Sequence, residues 1–133
     1  MAYNNPLNVP SIRAEHIYSN ANLELYPTGY TTVANGIGFN LRAVGVTGDI
    51  TSADTIVMAT GLVAGIVLTL PAIADVSSGF TLFIKDQDGT AATNSITVDG
   101  DGAETVDGAA NYVMSSPFES VTLCANGTGW SIL

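Results

Sequence analysis

Apolar and polar residues alternate in short runs along most of this chain, and nearly every run is closed by Gly, Pro, Asn or Asp. Residues two apart on a strand point to the same face, so such alternation marks half-buried strands. Phe39, Leu41, Ala43 and Val46 lie among polar residues and Gly, and Gly45 and Gly48 interrupt them as a bulge or tight bend would. Residues 55–58 are rich in β-branched side chains between Asp54 and Gly61, and residues 65–70 form the clearest strand, stopped by Pro71. Residues 72–79 read as a connection with room for one helical turn. Phe80, Leu82 and Ile84 then alternate with Thr81, Phe83 and Lys85, and apolar groups at both parities predict a strand packed on both sides.

The second half is more regular. Residues 95–98, 104–106 and 111–114 read as short strands, separated by Asp99-Gly100-Asp101-Gly102 and Asp107-Gly108. Residues 119–124 and 130–133 predict a hairpin through Asn126-Gly127-Thr128-Gly129, with Val121, Leu123, Trp130 and Ile132 on its inner face. No segment sustains a 3.6-residue period. Internal repeats of fixed length are absent, which argues against a β-helix or solenoid. The expected fold is therefore all-β, an antiparallel β-sandwich or jelly-roll-like barrel.

The first 20 residues differ from the rest. Pro6 and Pro10 fix the backbone and remove two donors, so this piece is an extended N-terminal arm, with residues 21–133 forming a single β-domain. An arm with isolated apolar residues can fray, or it can lie along a partner as an added strand.

Composition narrows the function. The 133 residues hold 12 Asp and Glu against 3 Lys and Arg, a formal net charge of −9. Only Arg13, Arg42 and Lys85 are cationic side chains, so the clustered charge that phosphate neutralisation requires is missing and neither nucleic acid nor an anionic membrane is an expected partner. The longest apolar stretch, residues 62–74, is broken by Gly65, Thr69 and Pro71 and is too short to span a bilayer. The N-terminal residues lack the pattern of a signal peptide, and the lone Cys124 leaves no intrachain disulfide, so folding in a cytosol is expected. Charged residues make up 11% of the chain, against roughly 25% in an ordinary soluble domain. Mean hydropathy is +0.34. So few charges leave neutral and apolar surface that an oligomer or a partner would cover.

Candidate chemistry is thin. Asp99, Asp101, Glu104 and Asp107 resemble the opening of a calcium loop, but position 12 counted from Asp99 is Ala110, where an EF-hand needs Glu. The reading is a pair of Asp-Gly turns. His16 sits in the arm without a nucleophile motif near it. Asp86 and Asp88 could pair for sugar hydrolysis, but they read more simply as a solvated turn. Cys124 reads as a small buried hydrophobe, and Trp130 as a packing residue. No catalytic residue, metal or cofactor is expected.

Several segments together carry a resemblance. They are Val67-Leu68-Thr69-Leu70-Pro71, Gly79-Phe80 leading to Ile84-Lys85-Asp86, Gly89-Thr90-Ala91-Ala92 and Ile96-Thr97-Val98-Asp99-Gly100. They continue with residues 102–108, Ser120-Val121-Thr122-Leu123 and Asn126-Gly127-Thr128-Gly129-Trp130. In this order, over residues 66–133, they resemble a C-terminal β-module of tailed-bacteriophage capsid decoration (cement) and head-fibre proteins, shared with tail-fibre proteins. The resemblance implies a virion structural protein that assembles as a homotrimer. The shortness of the chain favours a cement protein on the capsid outer surface, bound where major capsid protein subunits meet. The alternative is a head-fibre or tail-appendage module that binds host surface glycans, and a polysaccharide hydrolase is a more distant one. On the cement reading, Leu7, Val9, Pro10, Ile12 and Arg13 form the capsid-binding arm. The trimer seam is drawn from Ile66, Leu68, Phe80, Leu82 and Ile84.

Overall fold

A computed structural model describes residues 38–133; the arm residues Leu7, Val9, Pro10, Ile12 and Arg13, together with His16, lie outside the described residues. Among the described residues the regular secondary structure is almost wholly strand. The strands are β1 (Leu41–Val44), β2 (Gly48–Asp49), β3 (Ile56–Ala59), β4 (Ile66–Thr69), β5 (Thr81–Asp86), β6 (Ile96–Asp99), β7 (Asn111–Met114), β8 (Ser120–Ala125) and β9 (Trp130–Ile132). The connection between β4 and β5 carries a single 3-10 turn, Ile73–Asp75. No helix among these residues is long and apolar enough to cross a membrane.

The strands form two mixed sheets, a five-stranded one in the order β1-β3-β5-β8-β9 and a four-stranded one in the order β2-β4-β6-β7. This corrects the antiparallel arrangement expected from the sequence. The β1-β3, β3-β5, β2-β4 and β4-β6 pairs are all parallel, and only the pairs made by β7, β8 and β9 are antiparallel. The sheets do not close into a barrel.

From β1 to β6 the chain places successive strands alternately in the two sheets. A strand thus reaches its parallel neighbour by way of the other sheet, and that excursion supplies the crossover a parallel pair needs. The path is the winding of a two-sheet coil, the arrangement that the missing repeat had argued against. The repeat is hidden because the turns of the coil differ in length: paired positions Leu41 and Ile56 are 15 residues apart, and Ile56 and Phe83 are 27 apart. After β6 the direction reverses, and β7 and β8 run antiparallel to β6 and β5 respectively.

One core lies between the inward positions of both sheets. Val57, Leu82, Ile84, Leu123 and Trp130 come from the first sheet, and Leu68, Ile96, Val98 and Met114 from the second, all buried in one cluster. Each fully buried aliphatic side chain contributes about 1.5–3 kcal/mol. Phe80 packs edge-on against Trp130, with ring centroids 6.2 Å apart. The C-terminal hairpin follows its expected pairing, with Leu123 opposite Ile132 and Val121, Leu123 and Trp130 inside. Asn126 closes its turn by accepting from the backbone N–H groups of Thr128 and Gly129, each at 3.0 Å.

β5 is packed on one side, not two. Leu82, Ile84 and Asp86 are buried while Phe83 is exposed, because the outer face of its sheet meets no second layer among the described residues.

Gly100 shows how closely the loops fit. A Cβ there would run into the backbone carbonyl of Glu104, whereas one on Gly48 would meet nothing within 4 Å. Gly100→Ala is therefore expected to destabilise the domain by about 1–3 kcal/mol, and Gly48→Ala to change it little. Urea denaturation of the two variants checks this.

Candidate functional site

Most of the described carboxylates hold the backbone. Asp54 is buried; its Oδ2 accepts from the Thr51 N–H at 2.8 Å and the Thr51 hydroxyl at 3.0 Å. Its Oδ1 lies 3.1 Å from Arg42 Nε, a charge pairing rather than an in-line hydrogen bond. Asp88 accepts from the Gly61 N–H and the Thr60 hydroxyl, Glu104 from the Ile73 N–H, and Asp107 from the Ile132 N–H. Glu119 takes the Ser115 and Ser116 N–H groups and the Tyr112 hydroxyl, the last at 2.7 Å. Burial pushes the Glu119 carboxyl up, and the Tyr112 and Ser116 bonds outweigh it, so its pKa falls below the ordinary value; Tyr112, donating to that carboxylate, is raised above its own.

Asp86 is the most demanding of these groups. It ends β5 at an inward position and is fully buried. Its Oδ2 accepts from the N–H groups of Ala91 and Phe118, each at 3.0 Å, and its Oδ1 from Thr90 at 3.2 Å. Burial opposes the charge, but the backbone donors outweigh it, and the pKa lies below the usual carboxylate range. Asp86 is thus no solvated turn, and its carboxylate and that of Asp88 are bound by donors from different loops.

Phe118 is the residue Asp86 holds in place. Its φ is 59°, a left-handed conformation costly for a bulky L-residue. Its ring rests where a Cβ on Gly89 would stand, and Gly89 itself has positive φ. Lys85 donates to the Phe118 carbonyl, with its ammonium 5.7 Å from the ring centroid. Despite this anchorage, Phe118 is 60% exposed.

Lys85 belongs to the outer face of the five-stranded sheet. One row of paired positions across that face reads Leu41, Ile56, Phe83, Thr122, and Leu133 extends it by donating to the Thr122 carbonyl. The next row reads Ala43, Met58, Lys85, Ser120. Leu41 is 55% exposed, Phe83 39% and Leu133 74%. No acidic residue occupies an outward strand position here, whereas the outer face of the four-stranded sheet carries Asp49 and Asp99.

The other sequence-derived candidates fall elsewhere. Ile66, Leu68, Leu82 and Ile84 are buried in the domain's own core and Phe80 is half-buried against Trp130, so a seam cannot be drawn from the first four without opening that core. Trp130 is buried and presents no face to a sugar. Cys124 is half-buried at an outward position of β8. Asp101 lines a groove of about 430 Å³ with Asp49 and Asp75, and no group of three ligating side chains suited to a metal ion occurs among the described residues. The Phe118 constellation went unread in the sequence. The only signal for it was parity, which puts Asp86 inward with Leu82 and Ile84.

No protein-family model matches the chain, and no curated protein is significantly similar to it in sequence.

Asp86→Asn leaves at least one backbone donor facing an amide NH2, and is expected to cost about 1–3 kcal/mol for each donor left unpaired. A carboxyl whose folded pKa is depressed contributes stability that is complete above its unfolded pKa, about 4, and is lost as pH falls through the folded value. The parent should therefore lose stability on acidification below that range, and Asp86→Asn should lose less over the same interval. Thermal unfolding against pH checks both.

Proposed function

We propose that this chain is a virion structural protein, a capsid decoration (cement) protein of a tailed bacteriophage that binds as a trimer where major capsid subunits meet. The observation that carries the reading is a largely apolar sheet face with no acid at its outward strand positions, flanked by a braced exposed phenylalanine, on a chain that is strongly acidic. Such a surface suits permanent association. The acidic groups tied to backbone N–H groups stiffen loops, which fits a protein whose task is mechanical. The resemblance of residues 66–133 to the phage module points the same way.

On this reading the mechanism is binding. Pressure from packaged DNA loads the joints between capsid subunits, and a trimer bridging them adds contact area at each joint. Three arms on one body bind with an affinity none has alone. Leu7, Val9, Pro10, Ile12 and Arg13 supply the arm, adding an extended strand to a capsid sheet edge, with Arg13 meeting an acidic capsid residue.

The full chain is expected to cosediment with empty, expanded shells of its cognate major capsid protein and to raise their melting temperature. Deleting residues 2–13 should abolish cosedimentation while leaving the chain's own oligomer intact. A full chain that stays in the supernatant, or a deletion that decorates normally, would contradict the cement role or the arm respectively.

A further inference from the structure

We propose that the outer face of the five-stranded sheet is the seam through which copies of this chain associate, with Phe118 as its fixed anchor. This deepens the trimer of the cement reading by naming its surface. The row Leu41, Ile56, Phe83 joins apolar residues on three neighbouring strands, and Leu133 lies at its far end. Exposed apolar residues scattered singly need no explanation, but a row in register across a sheet does.

Charge selects the occupant. The chain carries a net charge of −9, so two copies meeting through an acidic face would oppose like charges at close range. The outward strand positions of this face hold no acid, and its one cation, Lys85, is engaged with the Phe118 carbonyl. A basic partner would be drawn to the carboxylates elsewhere on the domain. The partner this face fits is largely apolar and free of acids and clustered cations, and a second copy brings such a surface.

Phe118 supplies an independent reason. An exposed ring gains little for the monomer by adopting φ of 59°, yet Asp86, Gly89 and Lys85 all act to keep it there. Strain maintained at an exposed aromatic is the mark of a contact residue prepared in advance. A rigid aromatic loses little entropy on binding, which is why such residues dominate interfaces.

Light scattering behind a sizing column, on the full chain, tests the seam. The parent is expected as an oligomer of the 13.7 kDa chain, about 41 kDa for three copies. Phe83→Asp should give the monomer mass with strand circular dichroism and cooperative melting retained, and Leu133→Asp puts the same charge on the row should Phe83→Asp fail to fold. Val113→Asp, at an exposed position on the other sheet, should keep the parent mass. Phe118→Ala should raise the concentration of half-dissociation roughly tenfold or more. A monomeric parent, or folded Phe83→Asp and Leu133→Asp proteins that keep the parent mass, would overturn the proposal. Shell binding is not part of this readout, so an oligomer that ignores shells would refute the cement role and leave the seam standing.

Discussion

A buried carboxylate at the end of β5 sets the terms for much of this domain. Asp86 gathers backbone N–H groups from the loop after its own strand and from the loop before β8. The first loop leads the chain on to the last strand of the coil, and the second brings it back to the first sheet. Removing an unpaired carboxylate from water costs several kcal/mol. Charge-assisted bonds of about 1.5–3 kcal/mol each offset that cost only while both loops keep their places. The two loops are therefore fixed together, and Phe118 is held with them.

Other acids do the same work on a smaller scale. Asp88 ties the loop after β5 to the end of β3, Glu104 reaches the segment after β4, and Asp107 reaches β9. A coil with turns of unequal length has no repeating ladder of side chains to fix its loops, and these carboxylates fix them one at a time. Most of the described carboxylates are therefore tied to backbone N–H groups, and the outer face of the first sheet, with no acid at its outward strand positions, stands apart from them.

Most strand positions were legible in the sequence, and pairing was not; residues 104–106, expected as a strand, form only isolated bridges from Val106 to Ala109 and Trp130. Alternation located β3 to β9 closely, because apolar residues at one parity must be inside, and Asn126 with Gly127 and Gly129 announced the last turn. Parallel winding escaped because turn signals between strands do not fix which strands pair, and β3 and β4, though consecutive, enter different sheets. Without that pairing, Leu41, Ile56 and Phe83 could not be seen as one row. The seam expected at Ile66, Leu68, Leu82 and Ile84 took the most apolar strand positions, which are the ones a small domain must spend on its own core. Phe118 was invisible for a different reason: nothing in Ser-Pro-Phe-Glu signals positive φ at the phenylalanine, which depends on a carboxylate 32 residues away.

These features form one chain of cause: a buried carboxylate fixes two loops, and the loops hold an aromatic ring in a strained, exposed position beside a sheet face with no acid at its outward strand positions. Amide hydrogen exchange at Phe118, followed by NMR, tests the first link most directly. An exposed loop amide ordinarily exchanges fast. The account predicts slow exchange at Phe118 and Ala91, comparable with the inner strands at neutral pH. Exchange at the rate of an unprotected loop would show that Asp86 does not hold them, and would contradict the account at its root.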